Sequence, residues 1–192
     1  MSDSSLKDDH AKAFVEYLMT LRERDRGALA ALRHSLAFEP GAYPKAFPYV
    51  ERFAGAATHE RDARRLALYA VAGLFARHPE TAAQTFAAAF GQLARKRKAG
   101  SEKEYSTSIE NRFVALLGAD AENIFDYLRQ AISLLAADDI GLNYVQLLAD
   151  LSQWMNPNAY TDRLRQRWAR DFYRAAQAEV ETQAKPDTAN AS

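Results

Sequence analysis

The sequence contains no cysteine and is poor in glycine, proline and β-branched apolar residues. Its 192 residues include 8 Gly, 6 Pro, 6 Val and 4 Ile. The lack of cysteine excludes a disulfide framework, a thiolate metal site and a cysteine nucleophile. The small number of glycines and prolines argues against a loop-rich β protein and against a disordered chain. No segment approaches 18 apolar residues and the N-terminus has no apolar signal core, so we expect a soluble, cytoplasmic protein without a membrane partner.

Alanine is the most abundant residue type, with 38 occurrences, and 48% of the chain is hydrophobic. Alanine favours helices because it loses no side-chain rotamer freedom when a helix forms. Apolar residues also recur at helical spacing along most of the chain. The sequence therefore predicts an all-α fold of two packed helical bundles with about eight or nine helices in total.

A polar segment near residue 100 is the best candidate for a domain boundary. Residues 99–104 are small or charged, and the next apolar residue is Tyr105. Patterns typical of helix starts occur before and after this segment, at Thr81–Gln84 and at Thr107–Glu110. We therefore predict an N-terminal helical bundle over 8–98, a C-terminal helical bundle over 106–181 and a disordered tail over 182–192.

The sequence has no recognisable catalytic motif. It contains no glycine-rich phosphate loop, zinc-protease motif or nucleophile elbow, and none of its four histidines is paired with another at helical spacing. We expect no enzymatic activity, no catalytic residue, no metal and no cofactor. A helical hydrolase is an alternative that would require His59, Asp138 and Asp139 to converge around a metal ion.

Charge is unevenly distributed although the formal net charge is zero. Residues 1–112 have a balance of +4, residues 113–162 of −6, and residues 163–174 of +4. Arginine outnumbers lysine by 18 to 7, and a guanidinium group can bind a phosphate through two donors. Local positive potential of this kind attracts polyanions even when the total charge is zero.

The predicted last helix carries the most regular basic pattern. Its cations lie at i, i+4, i+7 and i+11, and therefore on one face; they are Arg163, Arg167, Arg170 and Arg174. A second stripe is apolar and would dock the helix; it consists of Leu164, Trp168, Phe172 and Ala175. The basic face is a candidate phosphate-binding surface, and pairing with the acidic segment 113–162 is the alternative.

Two further groups of cations are candidates for phosphate contact. Four consecutive cations end a predicted helix, namely Arg95, Lys96, Arg97 and Lys98, where they would either bind a phosphate backbone or interact with the helix dipole. Arg26 and Arg33 lie on one side of the predicted second helix. Arg112 and Arg129 are single cations on later helices, where salt bridges at the edge of the core are the alternative.

Six segments of the chain carry a combined similarity to a known family. They are Asp25–Arg33, Pro44–Val50, Arg112–Leu117, Leu128–Leu135, Leu147–Trp154 and Arg167–Tyr173. In this order, and over nearly the whole chain, they resemble the CasB family, which is the small subunit of the type I-E Cascade CRISPR surveillance complex.

The resemblance implies a non-enzymatic, two-bundle, all-α protein. It implies two copies packed head to tail, in contact with other Cascade subunits and crRNA, with basic faces that bind the target and the displaced DNA strands and stabilise the R-loop. Four cations in or beside the matching segments become candidate phosphate contacts: Arg26, Arg33, Arg112 and Arg129. His34 and Asn111 stand where the family often has a second arginine, so we expect weaker or pH-dependent contacts there.

The alternative function is a helical protein–protein scaffold without nucleic-acid binding. In that case each arginine would lie within hydrogen-bond reach of a carboxylate, and no extended basic surface would remain.

Overall fold

The computed structural model of the chain describes residues 2–55, 59–100 and 104–178. Within these ranges the backbone forms nine α-helices and two short 3₁₀ turns, Ser35–Ala37 and Pro44–Ala46. The helices are α1 (Ser2–Arg24), α2 (Arg26–His34), α3 (Phe47–Ala54), α4 (Ala63–Arg77), α5 (Phe86–Lys96), α6 (Thr107–Leu117), α7 (Ile124–Ala137), α8 (Tyr144–Trp154) and α9 (Asp162–Gln177). The predicted all-α fold is confirmed. The predicted tail over 182–192 lies outside the described residues.

Side-chain caps explain where several helices begin. The carboxylate of Asp25 accepts a hydrogen bond of 2.8 Å from the backbone N–H of Ala28 at the start of α2. Asp62 caps α4 and Asn143 caps α8 in the same way. Each cap satisfies a backbone donor that has no partner within its own helix.

The helix start predicted at Thr81–Gln84 is wrong. Helix α5 begins later, at Phe86, and Thr85 caps it. The preceding segment instead pairs with the connection between α7 and α8: the N–H of Ala82 donates to Leu142 at 3.0 Å, and Thr81 and Leu142 form an isolated parallel bridge. The backbone groups that a capped helix would use are therefore occupied by a distant segment of the chain.

The second predicted capping box is also wrong in detail. Ser106 occupies the cap position of α6, and Thr107 is the first helical residue. Glu110 does not reach back to the cap. Its carboxylate accepts hydrogen bonds from the hydroxyls of Tyr105 at 3.3 Å and Tyr173 at 3.0 Å. Burial and this carboxylate raise the pKa of Tyr173 to about 12.

Helix α4 lies at the centre of the core. Every residue over 67–76 is buried, and the helix packs against α2, α3, α7 and α8. This agrees with the several apolar faces of its sequence. Helices from both sides of residue 100 therefore pack together, and the division into bundles over 8–98 and 106–181 stays a prediction.

Helices α5 and α9 form the most extensive helix pair of the described chain. Gly91 makes their close approach possible, because a Cβ atom at this position would overlap the backbone carbonyl oxygen of Phe172. The ring of Phe172 stacks on Phe113 with a centroid distance of 4.0 Å and an interplanar angle of 9°. Leu164, Trp168, Phe172 and Ala176 are buried, so the opposite face of α9 points outward.

Candidate nucleic-acid interface

The basic stripe of α9 is interrupted by one ion pair. Arg163, Arg170 and Arg174 are exposed, and none pairs with a carboxylate in the described chain. Arg167 is half-buried and binds Asp150 of α8. The stripe predicted from spacing therefore exists as a geometric feature, but only three of its four cations are unpaired.

Asp150 explains why Arg167 is held. Its carboxylate is only 5% exposed and accepts hydrogen bonds from Trp168 Nε1 at 2.6 Å and Gln146 Nε2 at 2.8 Å. A buried carboxylate requires partners because burial removes it from water. Arg167 supplies the compensating positive charge, and together with Trp168 it connects α9 to α8.

The cations of Arg95–Lys98 are largely engaged at the C-terminal end of α7. Arg97 Nε donates to Asp138 Oδ2 at 2.6 Å, and Lys96 Nζ lies 3.1 Å from Asp138 Oδ1 and 3.0 Å from the Asp138 carbonyl oxygen. Arg95 donates to the backbone carbonyl of Ala178 at 2.8 Å. Only Lys98 is exposed with no partner in the described residues. The salt-bridge alternative therefore describes Lys96 and Arg97.

Asp138 occupies the C-cap position of α7, where the helix dipole disfavours a negative charge. Burial raises the pKa of Asp138, but the hydrogen bonds from Arg97 and Lys96 outweigh this effect and hold the pKa below its ordinary value. The basic end of α5 thus stabilises a carboxylate and the last carbonyl groups of a neighbouring helix.

Two predicted cations, on α2 and α7, donate hydrogen bonds to backbone carbonyl oxygens of other elements. Arg33 Nε donates to the carbonyl oxygen of Ala76 at 2.9 Å. Arg129 Nη1 donates to the carbonyl oxygen of Leu36 at 2.6 Å, across 93 residues of sequence, while its Nη2 binds Asp126 at 2.8 Å. Arg33 therefore binds the C-terminal part of α4, whereas Arg129 binds the 3₁₀ turn Ser35–Ala37 that follows α2.

Arg26 and Arg112 are the remaining predicted cations. Both are exposed, on α2 and α6 respectively, and neither pairs with a described carboxylate. The role of these four arginines, Arg26, Arg33, Arg112 and Arg129, as phosphate contacts stays a prediction.

The residues of the hydrolase alternative do not converge. Asp138 is bound by Lys96 and Arg97, and the His59 ring accepts a hydrogen bond of 3.1 Å from the backbone N–H of Arg61. Among the residues that the structure describes, no group of three histidine, aspartate or glutamate side chains could hold a metal ion. In the same ranges, no helix is both long and apolar enough to cross a bilayer.

Comparison with known proteins identifies the family. The family model for CRISPR-associated protein Cse2 matches residues 28–173. A curated relative, the CRISPR-associated protein Cse2 of Thermus thermophilus, is 37% identical over 172 residues, which cover 88% of this chain and 92% of the relative. The chain belongs to the CRISPR-associated Cse2 family.

Solved structures agree with membership of the Cse2 family. The crystal structure of CasB from Thermus thermophilus is 37% identical, with a TM-score of 0.69 over 85% of this chain and 97% of that chain. A chain of a structure described as a CRISPR RNA-guided surveillance complex has the same fold, with a TM-score of 0.73 and 20% identity over 89% of this chain and 95% of its own length. The resemblance to the CasB family is confirmed.

The Cse2 match includes most of the candidate cations. Arg26 lies two residues before the matched range and Arg174 one residue after it; the others fall inside. The family match therefore includes the helices that carry most of these side chains. It does not assign a role to any individual side chain.

One basic groove of this Cse2-family chain was missed by the sequence analysis. Exposed Arg61 and Arg64, at the start of α4, line a groove of about 770 Å³ with the amide side chains of Gln153, Asn156 and Asn158. The available signal was the group of arginines over 59–65, of which the sequence analysis considered only His59, as a metal ligand.

Proposed function

We propose that this Cse2-family chain is a non-catalytic structural subunit of a crRNA-guided complex of the type I-E Cascade kind. It binds the target and the displaced DNA strands through their backbone phosphates and thereby stabilises the R-loop. One observation carries the proposal: several exposed cations have no carboxylate partner in the described chain, namely Arg26, Lys98, Arg112, Arg163, Arg170 and Arg174.

Unpaired guanidinium groups suit this task for a chemical reason. Each keeps its fork of donors free for the two oxygens of a phosphate group. Such contacts position a nucleic acid but do not read its sequence. In RNA-guided recognition the base pairs read the sequence, and the exchange of duplex for heteroduplex is nearly balanced, so backbone contacts can decide how long the R-loop persists.

The proposed partners follow from the same family membership. They are the other Cascade subunits with crRNA, and a second copy of this chain packed head to tail. A structural neighbour of 20% identity is described as a CRISPR RNA-guided surveillance complex, which supports this assignment. We place the assembled complex in the cytoplasm, where foreign DNA is encountered.

The scaffold alternative is favoured by four ion pairs. Lys96 and Arg97 bind Asp138, Arg129 binds Asp126, and Arg167 binds Asp150. These four of the twelve candidate cations contribute to the fold or to its surface. Since the others have no such partner among the described residues, internal pairing does not account for the whole basic surface.

The experiment compares two double variants in the assembled complex with crRNA and target DNA. Arg26→Gln with Arg112→Gln removes two unpaired cations and should shorten the R-loop lifetime at least about tenfold, since a hydrogen bond to a charged group contributes about 1.5 kcal/mol or more. The control is Lys12→Gln with Arg22→Gln, which makes the same charge change at cations already paired with Glu16 and Glu80. Equal lifetimes for both variants and the unaltered complex would reject the proposal.

A further inference from the structure

Three aromatic rings cluster at the surface between the two 3₁₀ turns, and we name them the Phe38 platform: His34, Phe38 and Tyr43. The rings of Phe38 and Tyr43 stack with a centroid distance of 4.9 Å and an interplanar angle of 17°. The His34 ring lies 5.7 Å from Phe38 and 5.1 Å from Tyr43. Phe38 is nevertheless 42% exposed, so Tyr43 supports the ring while part of its apolar surface stays open to solvent.

The backbone around the Phe38 platform is fixed by local hydrogen bonds. The N–H of Phe38 donates to Ser35 at 3.0 Å, that of Ala42 to Glu39 at 3.0 Å, and that of Ala46 to Tyr43 at 3.0 Å. Gly41 adopts a φ of 84°, which closes the intervening turn and favours glycine. The exposed ring is therefore held in a defined orientation, which lowers the entropy lost when a flat ligand stacks on it.

Three cations belong to the segments that form or contact the Phe38 platform: Arg33 and Lys45 are sequence neighbours of its rings, and Arg129 binds the adjacent 3₁₀ turn. Arg33 uses only Nε, toward Ala76, and its two terminal amino groups have no partner among the described residues. Exposed Lys45 also lacks a described partner, and Arg129 reaches the carbonyl oxygen of Leu36 two residues before Phe38. Two carboxylates stand nearby, those of Glu39 and of Asp126, which binds Arg129. Arg129 is already paired with Asp126, which leaves Arg33 and Lys45 against Glu39 in the segments that form the platform.

We propose that the Phe38 platform stacks an unpaired base of the displaced DNA strand; this inference rests on the proposed function. Aromatic rings beside cations are the usual means of binding single-stranded nucleic acid, since every base has a flat face and every nucleotide a phosphate. A base within a duplex or heteroduplex is already stacked on its neighbours. In an R-loop the displaced strand is the one whose bases are unpaired.

The size and setting of the Phe38 platform favour a base over a protein partner. A stable protein interface requires a broad area with an apolar centre from which charged residues are depleted. Here Phe38 is the one exposed apolar ring of the platform, and its exposed neighbour His34 is polar. One stacked base with its phosphate fits both the apolar surface and the adjacent positive charge.

The test uses the assembled complex with crRNA and DNA that contains a pre-opened bubble. The displaced strand carries either ordinary, non-complementary bases or abasic sites throughout the bubble. Phe38→Ala should shorten the lifetime of the bound state about tenfold with ordinary bases and leave it unchanged with abasic sites, because only a base can stack. Phe38→Trp should retain the wild-type lifetime.

A matched control is Met19→Ala, since Met19 is also 42% exposed but is not part of an aromatic cluster. Thermal unfolding of each variant checks that the fold is intact. Equal lifetimes for Phe38→Ala and wild type with ordinary bases would overturn the inference. An equal loss with both strands would also overturn it, because it would indicate a protein contact.

The result is separable from the test of the proposed function. If Arg26→Gln with Arg112→Gln shortens the lifetime and Phe38→Ala does not, the platform is wrong and the proposed function stands. If Phe38→Ala shortens the lifetime only when the displaced strand carries bases, and the Arg26→Gln with Arg112→Gln variant has no effect, base stacking on the Phe38 platform is supported. The proposed phosphate contacts of Arg26 and Arg112 are then wrong. If neither variant has an effect, both proposals fail.

Discussion

The two basic regions on the α5–α9 helix pair differ in how many of their charges the fold leaves unpaired. At the end of α5, Lys96 and Arg97 both bind Asp138. On α9, Arg167 alone is bound to a carboxylate, that of Asp150. The more densely charged run of sequence therefore has fewer free cations than the more dispersed one.

Helical geometry explains this difference. Arg95 and Lys96 end α5, while Arg97 is its C-cap and Lys98 follows it, so the four side chains share no single helix face, and Lys96 and Arg97 reach Asp138 at the end of α7. Residues spaced as on α9 share one face, and the buried Trp168 and Phe172 turn that face outward. Spacing, more than local charge density, indicates which cations stay available for a polyanion.

The largest expected effect comes from breaking the contact between the two compared helices. Gly91→Ala should lower the free energy of unfolding by about 3 kcal/mol, because the added methyl group overlaps the Phe172 carbonyl and must push α9 away. Urea unfolding followed by circular dichroism measures the change. Gly100→Ala is the matched control, since a Cβ at Gly100 meets no atom within 4 Å. Similar stability for both variants would contradict the described α5–α9 packing.

The next effect concerns Arg167, the α9 cation that is paired with a carboxylate. Asp150→Asn should lower the free energy of unfolding by about 2 kcal/mol, because the amide cannot accept from Arg167 and Trp168 as a carboxylate does. Glu122→Gln, at an exposed position, should leave stability unchanged and serves as the control. A loss below about 0.5 kcal/mol would show that Asp150 does not anchor α9.

A smaller effect is expected at the bound cations of α5. Asp138→Asn should lower the free energy of unfolding at pH 7 by about 1 kcal/mol, since it removes the partner of two partly exposed cations. The folded pKa of Asp138 lies below its unfolded value of about 3.9. Its stabilisation is therefore present above about pH 4 and is lost as the pH falls through the folded pKa. Urea unfolding from pH 7 to pH 2 should show the two proteins converging at low pH, and a constant difference would contradict the assignment.

The smallest effect is expected at an unpaired cation of α9. Arg170→Gln should change the free energy of unfolding by less than about 0.5 kcal/mol, because its side chain is exposed and unpaired. Arg167→Gln, one turn earlier, should lower it by about 1–2 kcal/mol since Asp150 then loses its counter-charge. Equal thermal melting temperatures for both variants would remove the distinction between bound and unpaired cations.

Local sequence signals predicted much of the fold. The apolar stripe of α9 follows from helical spacing alone, and three of its four predicted residues are buried, namely Leu164, Trp168 and Phe172. The fourth buried position is Ala176 and not Ala175, which is only partly buried. The capping box at Thr81–Gln84 failed because its backbone pairs with Leu142, which is 61 residues further along the chain. A local sequence pattern cannot show that a distant residue competes for the same backbone groups.

Whether each candidate cation is paired or unpaired could be predicted only in part. Spacing placed the arginines of α9 on one face, but the partner of Arg97 is 41 residues away and that of Arg167 is 17 residues away. Tertiary packing determines which carboxylate lies beside each cation. The sequence alone therefore could not show which cations are paired and which are exposed and unpaired. The exposure of Phe38 was also missed, because a phenylalanine is ordinarily assigned to the core and only tertiary packing shows that this ring is exposed.

The salt dependence of R-loop binding tests the central claim most directly. The assembled complex that carries Arg163→Gln, Arg170→Gln and Arg174→Gln is compared with the wild-type complex over a range of salt concentrations. If the unpaired cations of α9 hold phosphates, the slope of log affinity against log salt becomes shallower by about 2–3 units, since each lost contact removes about 0.7–0.9. Identical slopes for the two complexes would contradict the account.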